Sequence, residues 1–124
     1  MKYAIMSDAH AKPAALLKVV DDAKDQACGR FVFLGDAVGY GYDAKTTVDI
    51  LQTQFDVVLR GNHDVACRQT LAREDAEWLR SRADRHDGDG LPFFLADPLD
   101  VRSCPLDLAP EKFIRPLDGA ARNW

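Results

Sequence analysis

Apolar and polar positions alternate along the first half of the chain in short blocks. Lys2 to Met6 is a brief apolar run that gives way at once to Ser7 and Asp8, as a short strand does. After it, Ala15, Leu16, Val19, Val20, Ala23 and Ala27 recur at helical spacing. Pro13 suits the first turn of that helix, and Cys28-Gly29 ends it. Arg30 to Leu34 is a continuous β-rich run, the pattern of a strand buried on both faces of a parallel sheet. A glycine-rich loop follows from Gly35 to Gly41. Asp43 then caps a second helix whose apolar positions include Val48, Ile50 and Leu51. Asp56 to Leu59 reads as a third strand, stopped by Arg60-Gly61.

This order is β-α-β-α-β, and its short connections predict an α/β fold with a parallel sheet and right-handed crossovers. Ligands of such sheets sit outside the carboxyl ends of the strands. Those ends are Ser7 to His10, Gly35 to Gly39 and Gly61 to Asp64, and every candidate metal ligand of the first half falls at one of them. The second half is less regular. Leu71, Ala72, Asp75, Trp78 and Leu79 predict an amphipathic helix from about Thr70 to Ala83, with Trp78 as its anchor in the core. Asp87 to Gly90 is a turn-rich break. Phe93 to Leu95 and Leu99 to Val101 read as short strands in a proline-interrupted tail. With no repeat, low-complexity tract or linker, residues 1–124 are expected to form a single domain.

Composition narrows the function classes. A chain of 124 residues and 13.8 kDa with 47% hydrophobic residues can bury a core. A net charge of −4 argues against a general nucleic-acid binder or a membrane-surface binder. The acidity lies in 17 Asp against 3 Glu, and Asp serves turns, caps and hard metals better than helix interiors. Cys28, Cys67 and Cys104 form no Cys-x-x-Cys pair, so reduced thiols in a cytoplasmic protein are expected. The run from Tyr3 to Met6 is too short for a signal-peptide core, and no stretch reaches the length of a membrane span.

The strand ends carry the chemistry. Asp8 and His10 are two residues apart just past a strand, Asp36 lies 28 residues on and Asn62 a further 26. Two carboxylates, an imidazole and an amide oxygen suit a mid-series divalent cation such as manganese, iron or zinc. Two such ions bridged by Asp36 would make a site for phosphoryl chemistry. Gly35, Gly39 and Gly61 permit sharp turns and close backbone approach. Each pattern alone has an ordinary reading, Asp-x-His as a turn and Gly-Asp as a turn with a helix cap. Arg60 is weighed as a phosphate contact against a solvated rim residue, and Tyr40 and Tyr42 as cleft-lining against surface packing. Cys67 reads as a structural thiol and His86 as an exposed loop histidine.

Together, Asp8-x-His10, Gly35-Asp36-x-x-Gly39 and Gly61-Asn62-His63-Asp64 resemble the first three motifs of the calcineurin-like metallophosphoesterases. The stretch from Gly35 to Tyr42 is most similar to the small bacterial stand-alone phosphoesterases of that superfamily. The resemblance implies a two-sheet sandwich with flanking helices, of which this chain would hold the β-α-β-α-β half and an incomplete second sheet. It implies Asp8, His10 and Asp36 on a first metal, and Asp36 and Asn62 on a second. Manganese is the expected ion, with iron, zinc, nickel and magnesium as alternatives. His63 would face the phosphate and assist the leaving oxygen, and Asp64 would orient His63 through a hydrogen bond. The implied reaction is hydrolysis of a phosphomonoester or phosphodiester by a metal-activated hydroxide.

The resemblance also implies later motifs, a Val-His-Gly/Ala-Ser type and a Gly-His-x-His, which are not in this sequence. Leu99 to Pro105 stands where the first is expected, with Arg102 at the histidine position, where a cation would repel a metal. The chain holds just three histidines, His10, His63 and His86. Three readings follow: a shortened phosphoesterase whose site is weakened or completed by another subunit, a catalytically degenerate binding scaffold, and a truncated product without function. A half sandwich would leave an apolar face and a strand edge open, which predicts a homo-oligomer through the exposed sheet.

Overall fold

A computed structural model describes residues 1–65, 71–88 and 90–94. The expectations for Cys67, for a strand at residues 99–101 and for Arg102 lie outside these residues.

Strand β1 (Tyr3–Met6), helix α1 (Pro13–Asp25), strand β2 (Arg30–Phe33), helix α2 (Ala44–Gln54) and strand β3 (Val57–Val58) follow in the expected order. The sheet order is β1-β2-β3, parallel throughout, with Tyr3 opposite Arg30 and Val32 opposite Val57. Strand β3 is shorter than the predicted Asp56–Leu59, yet its flanks still bond to β2. Asp56 N donates to Phe31 O at 2.9 Å, and Leu59 N to Phe33 O at 2.8 Å.

Side-chain alternation divides the two faces of the sheet. Ala4, Met6, Phe31 and Phe33 point to one face and pack with Leu16, Val20 and Ala23 of α1 and Val48 and Leu51 of α2. Val32 points to the other, where it meets Leu59 and Phe93. Strand β2 is thus buried on both faces, as its unbroken apolar run predicts. Asp43 caps α2 by accepting the amide of Thr46 at 3.0 Å, which lowers the pKa of its carboxyl.

The second half carries α3 (Asn62–Val65), α4 (Arg73–Arg80), β4 (Arg85–Gly88) and β5 (Leu91–Phe94). The amphipathic helix is shorter than the expected span but presents Leu79 to the core. Trp78 is half-buried and packs against the same core, with the Arg82 guanidinium 4.7 Å from its ring centroid. Strands β4 and β5 form an antiparallel ribbon that puts Phe93 against the second face of the parallel sheet, its ring 6.1 Å from Tyr3. His86 is therefore no loop histidine: it sits in β4, half-buried and stacked 6.3 Å from Phe93. At the outer edge of β1, Ile5 remains 52% exposed. No helix among the described residues is long and apolar enough to cross a membrane.

Candidate metal centre

The loops after β1 and β2 run side by side and extend the sheet beyond its strands. Asp8 N donates to Gly35 O at 3.0 Å, His10 N to Asp36 O at 3.1 Å and Ala11 N to Ala37 O at 2.7 Å. These bonds hold Asp8, His10, Ala11 and Asp36 at positive φ, between 47° and 59°. Left-handed backbone costs a non-glycine residue about 1–3 kcal/mol, so it persists only where its surroundings enforce it. Here it turns one carboxylate and one imidazole from the first loop toward a second carboxylate from the next. Asp8, His10 and Asp36 each bring one ligand atom into a group lying within 4.8 Å of one another.

His10 has a defined orientation. Its Nδ1 is 3.3 Å from Val38 O, and a carbonyl only accepts, which assigns the proton to Nδ1. The Nε2 lone pair is then left facing Asp8 Oδ1 at 3.3 Å. Two electron-rich atoms in that position call for a proton or a cation between them, and a backbone carbonyl behind a histidine is the usual partner of a metal-binding imidazole. Asp36 is 5% exposed and accepts the amide of His63 at 3.0 Å. Burial pushes its pKa up. The His63 amide pulls it down, and the nearby Asp8 charge adds to the rise. This donor set fits a divalent cation.

Gly61 explains how the third loop comes so close. A Cβ there would run into the Asp36 carboxylate, and one on Gly35 would run into Gly61 N. Past Gly61, Asn62 opens α3 with its side chain exposed. His63 stands beside the ligand group, its ring 5.0 Å from that of His10.

Asp64 has a different partner from the one expected. It is completely buried, and its carboxylate accepts backbone amides from Asp36 (2.8 Å), Ala37 (2.8 Å), Val38 (3.2 Å) and Gly61 (2.8 Å). Two donors on each oxygen fill it, so it organises the Gly35–Val38 loop rather than the His63 ring. Burial raises its pKa against the pull of those amides. Arg60 is likewise no free rim residue, because its guanidinium is already engaged. Its Nε donates to Asp84 Oδ1 at 2.7 Å and its Nη1 to Arg80 O at 2.6 Å, tying the end of β3 to the end of α4.

Tyr40 is the residue that sequence reasoning underrated. Its ring lies 4.8 Å from His63 and 5.2 Å from His10, whereas Tyr42 is simply exposed. The signal available in the sequence was a large aromatic between two glycines in a loop that already carried Asp36.

Comparison with known proteins agrees with this geometry. A solved metallophosphoesterase from Sphaerobacter thermophilus superposes with a TM-score of 0.73 at 26% identity, over 84% of this chain and 50% of that one. An uncharacterized protein of Methanocaldococcus jannaschii is 34% identical over 76 residues, 61% of this chain and 30% of the relative. The chain thus spans half or less of the length of either. Residues 1–106 match the calcineurin-like phosphoesterase family, and the chain belongs to it.

Proposed function

We propose that this chain hydrolyses a phosphate ester, a monoester or a diester, with a divalent cation held by Asp8, His10 and Asp36. Manganese is the first candidate, with iron, zinc, nickel and magnesium behind it. The observation that carries this reading is the convergence of those three side chains within 4.8 Å at neighbouring strand ends, with His63 alongside. A cation there supplies a Lewis acid for the phosphate oxygens and for water. The protein supplies the rest. Val38 fixes the His10 tautomer, and burial keeps Asp36 out of competing solvent. Asn62 adds an amide oxygen at the third strand end for a second ion. His63, outside the ligand group, gives a proton to the leaving oxygen. Asp64 holds the loop that aims Asp36.

The test is release of p-nitrophenol from p-nitrophenyl phosphate and bis(p-nitrophenyl) phosphate, with manganese and with chelator. Hydrolysis is expected with the metal alone, and His63→Ala is expected to lower it by about 100-fold or more. Asp36→Asn should abolish both manganese binding and turnover. Rates unchanged in both variants would remove these residues from the chemistry. Manganese binding without turnover of either ester would favour a phosphate-binding scaffold instead.

A further inference from the structure

Gly39, Tyr40 and Gly41 form a turn of an unusual kind. Gly41 N donates to Gly39 O at 2.8 Å, closing a three-residue ring with Tyr40 at its centre and φ at 65°. The positive-φ form of the γ-turn is rare and strained, and a bulky side chain in left-handed backbone is an outlier in its own right.

The turn is enforced from outside. Tyr42 N and Asp43 N both donate to Ala11 O, at 3.2 and 3.1 Å. A Cβ on Gly41 would run into the carbonyl oxygens of His10 and Ala11, and one on Gly39 would stand 3.0 Å from His63 Nδ1. The glycines let the loop press onto the site, and the residue between them holds an aromatic ring over it. That ring touches both histidines along one side while the residue stays 82% exposed. Burial of apolar surface does not account for such a placement, since the ring gains little of it. A strained backbone beside a reactive centre is better explained by what the ring is held ready to meet.

We propose that Tyr40 is a specificity-determining residue, and that its ring stacks on a flat aromatic group in the alcohol portion of the phosphate ester. The proposal rests on the hydrolase reading above and names its substrate class. A phosphate held at Asp8, His10 and Asp36, with its leaving oxygen toward His63, has its ester group directed to the side of the site that Tyr40 covers. An aryl phosphate and a nucleoside monophosphate share the chemistry required, a planar ring carried by the alcohol that is esterified to the phosphate. Stacking of this kind tolerates many rings, because each has a π face.

Phosphonates separate the binding from turnover, because their carbon–phosphorus bond is not hydrolysed. Calorimetry on the manganese-loaded chain should show phenylphosphonate binding about tenfold more tightly than methylphosphonate. Tyr40→Phe should keep that ratio, and Tyr40→Ala should bring it to about one. Comparing AMP with ribose 5-phosphate then distinguishes a nucleotide from a directly attached aryl group. A tenfold ratio for that pair assigns the nucleotide; a ratio near one, beside a retained phenyl preference, assigns the aryl ester. Tyr40→Gly, which relaxes the backbone, should lose the preference and raise the urea midpoint.

Equal affinity for the two phosphonates in the parent chain overturns the proposal while leaving the hydrolase reading intact. A parent that binds neither overturns the hydrolase reading itself. A preference that survives Tyr40→Ala, or is lost in Tyr40→Phe, shows that the ring face is not the recognition element. A lowered midpoint for Tyr40→Gly shows that packing holds the ring there.

Discussion

Replacing Asp64 by alanine removes the acceptor for four buried amides at once and leaves a cavity where the carboxylate stood. A typical hydrogen bond contributes about 1 kcal/mol net, and bonds to charged acceptors somewhat more. The amides of Asp36, Ala37, Val38 and Gly61 all bond to this one group. Their joint loss comes to about 4 kcal/mol, at the upper end of what single substitutions do. Asp64→Asn keeps one carbonyl oxygen for two of the donors and turns an NH2 group toward the other two. It also relieves the burial of a charge, so it should lose about 2 kcal/mol, half the alanine value.

Urea unfolding followed by tryptophan fluorescence measures both variants. Chelator keeps bound cation from adding to the apparent stability. The expected order of midpoints is parent, asparagine, alanine, with the slope against urea unchanged. A small domain has about 5–15 kcal/mol in all, so the alanine variant can fall to the edge of folding, and the asparagine variant then carries the test. The reasoning fails if both variants keep the parent midpoint while hydrolysis is lost. Asp64 would then act on His63, as the family resemblance implies, and the amide cradle would be incidental.

Two further outcomes follow from the same loops. Gly61→Ala puts a Cβ into the Asp36 carboxylate, so calorimetry should show manganese affinity down by about tenfold or more, and urea unfolding a loss of about 1–3 kcal/mol. Unchanged affinity would mean that Asp36 is not held where it appears. Asp36 also makes the centre sensitive to acid. Its pKa is raised above 3.8, and a protonated carboxyl does not ligate a cation, so manganese affinity should climb as pH rises beyond the ordinary carboxylate range. For the metal-free fold the sign is opposite. The raised folded-state pKa contributes stability that is full below the unfolded value and lost as pH rises through the folded one. In chelator, the stability of the parent relative to Asp36→Asn should therefore fall as pH rises across the weakly acidic range, and manganese should restore it. Manganese affinity that stayed flat with pH would exclude Asp36 as a ligand.

The first half of the fold was legible because burial there follows period. Phe31, Val32 and Phe33 are apolar without interruption because helices cover one face of β2 and Phe93 the other. Strand β4 had no such signal. Arg, His, Asp and Gly in a row have no apolar alternation, and the strand exists through its pairing with Leu91–Phe94. Arg60 shows the same limit, since its partners lie 20 and 24 residues away and no local pattern names them.

The motif around Asn62, His63 and Asp64 divides along this line. Its position after a strand was local information, and Asp8, His10 and Asp36 converge as their strand ends require. Which neighbour each side chain serves was not local. Asp64 lies next to His63 in sequence, yet in a short helix successive side chains point apart, and Asp64 turns inward to amides 26 to 28 residues earlier. A carboxylate facing three successive amides fixes that loop more firmly than a single bond to a ring would fix His63. The same closure carries Asp36 toward His10 and leads, past Gly39, to Tyr40. The precision of the ligand group and the placement of the aromatic ring thus depend on one buried charge whose spacing alone gave no hint of its partner.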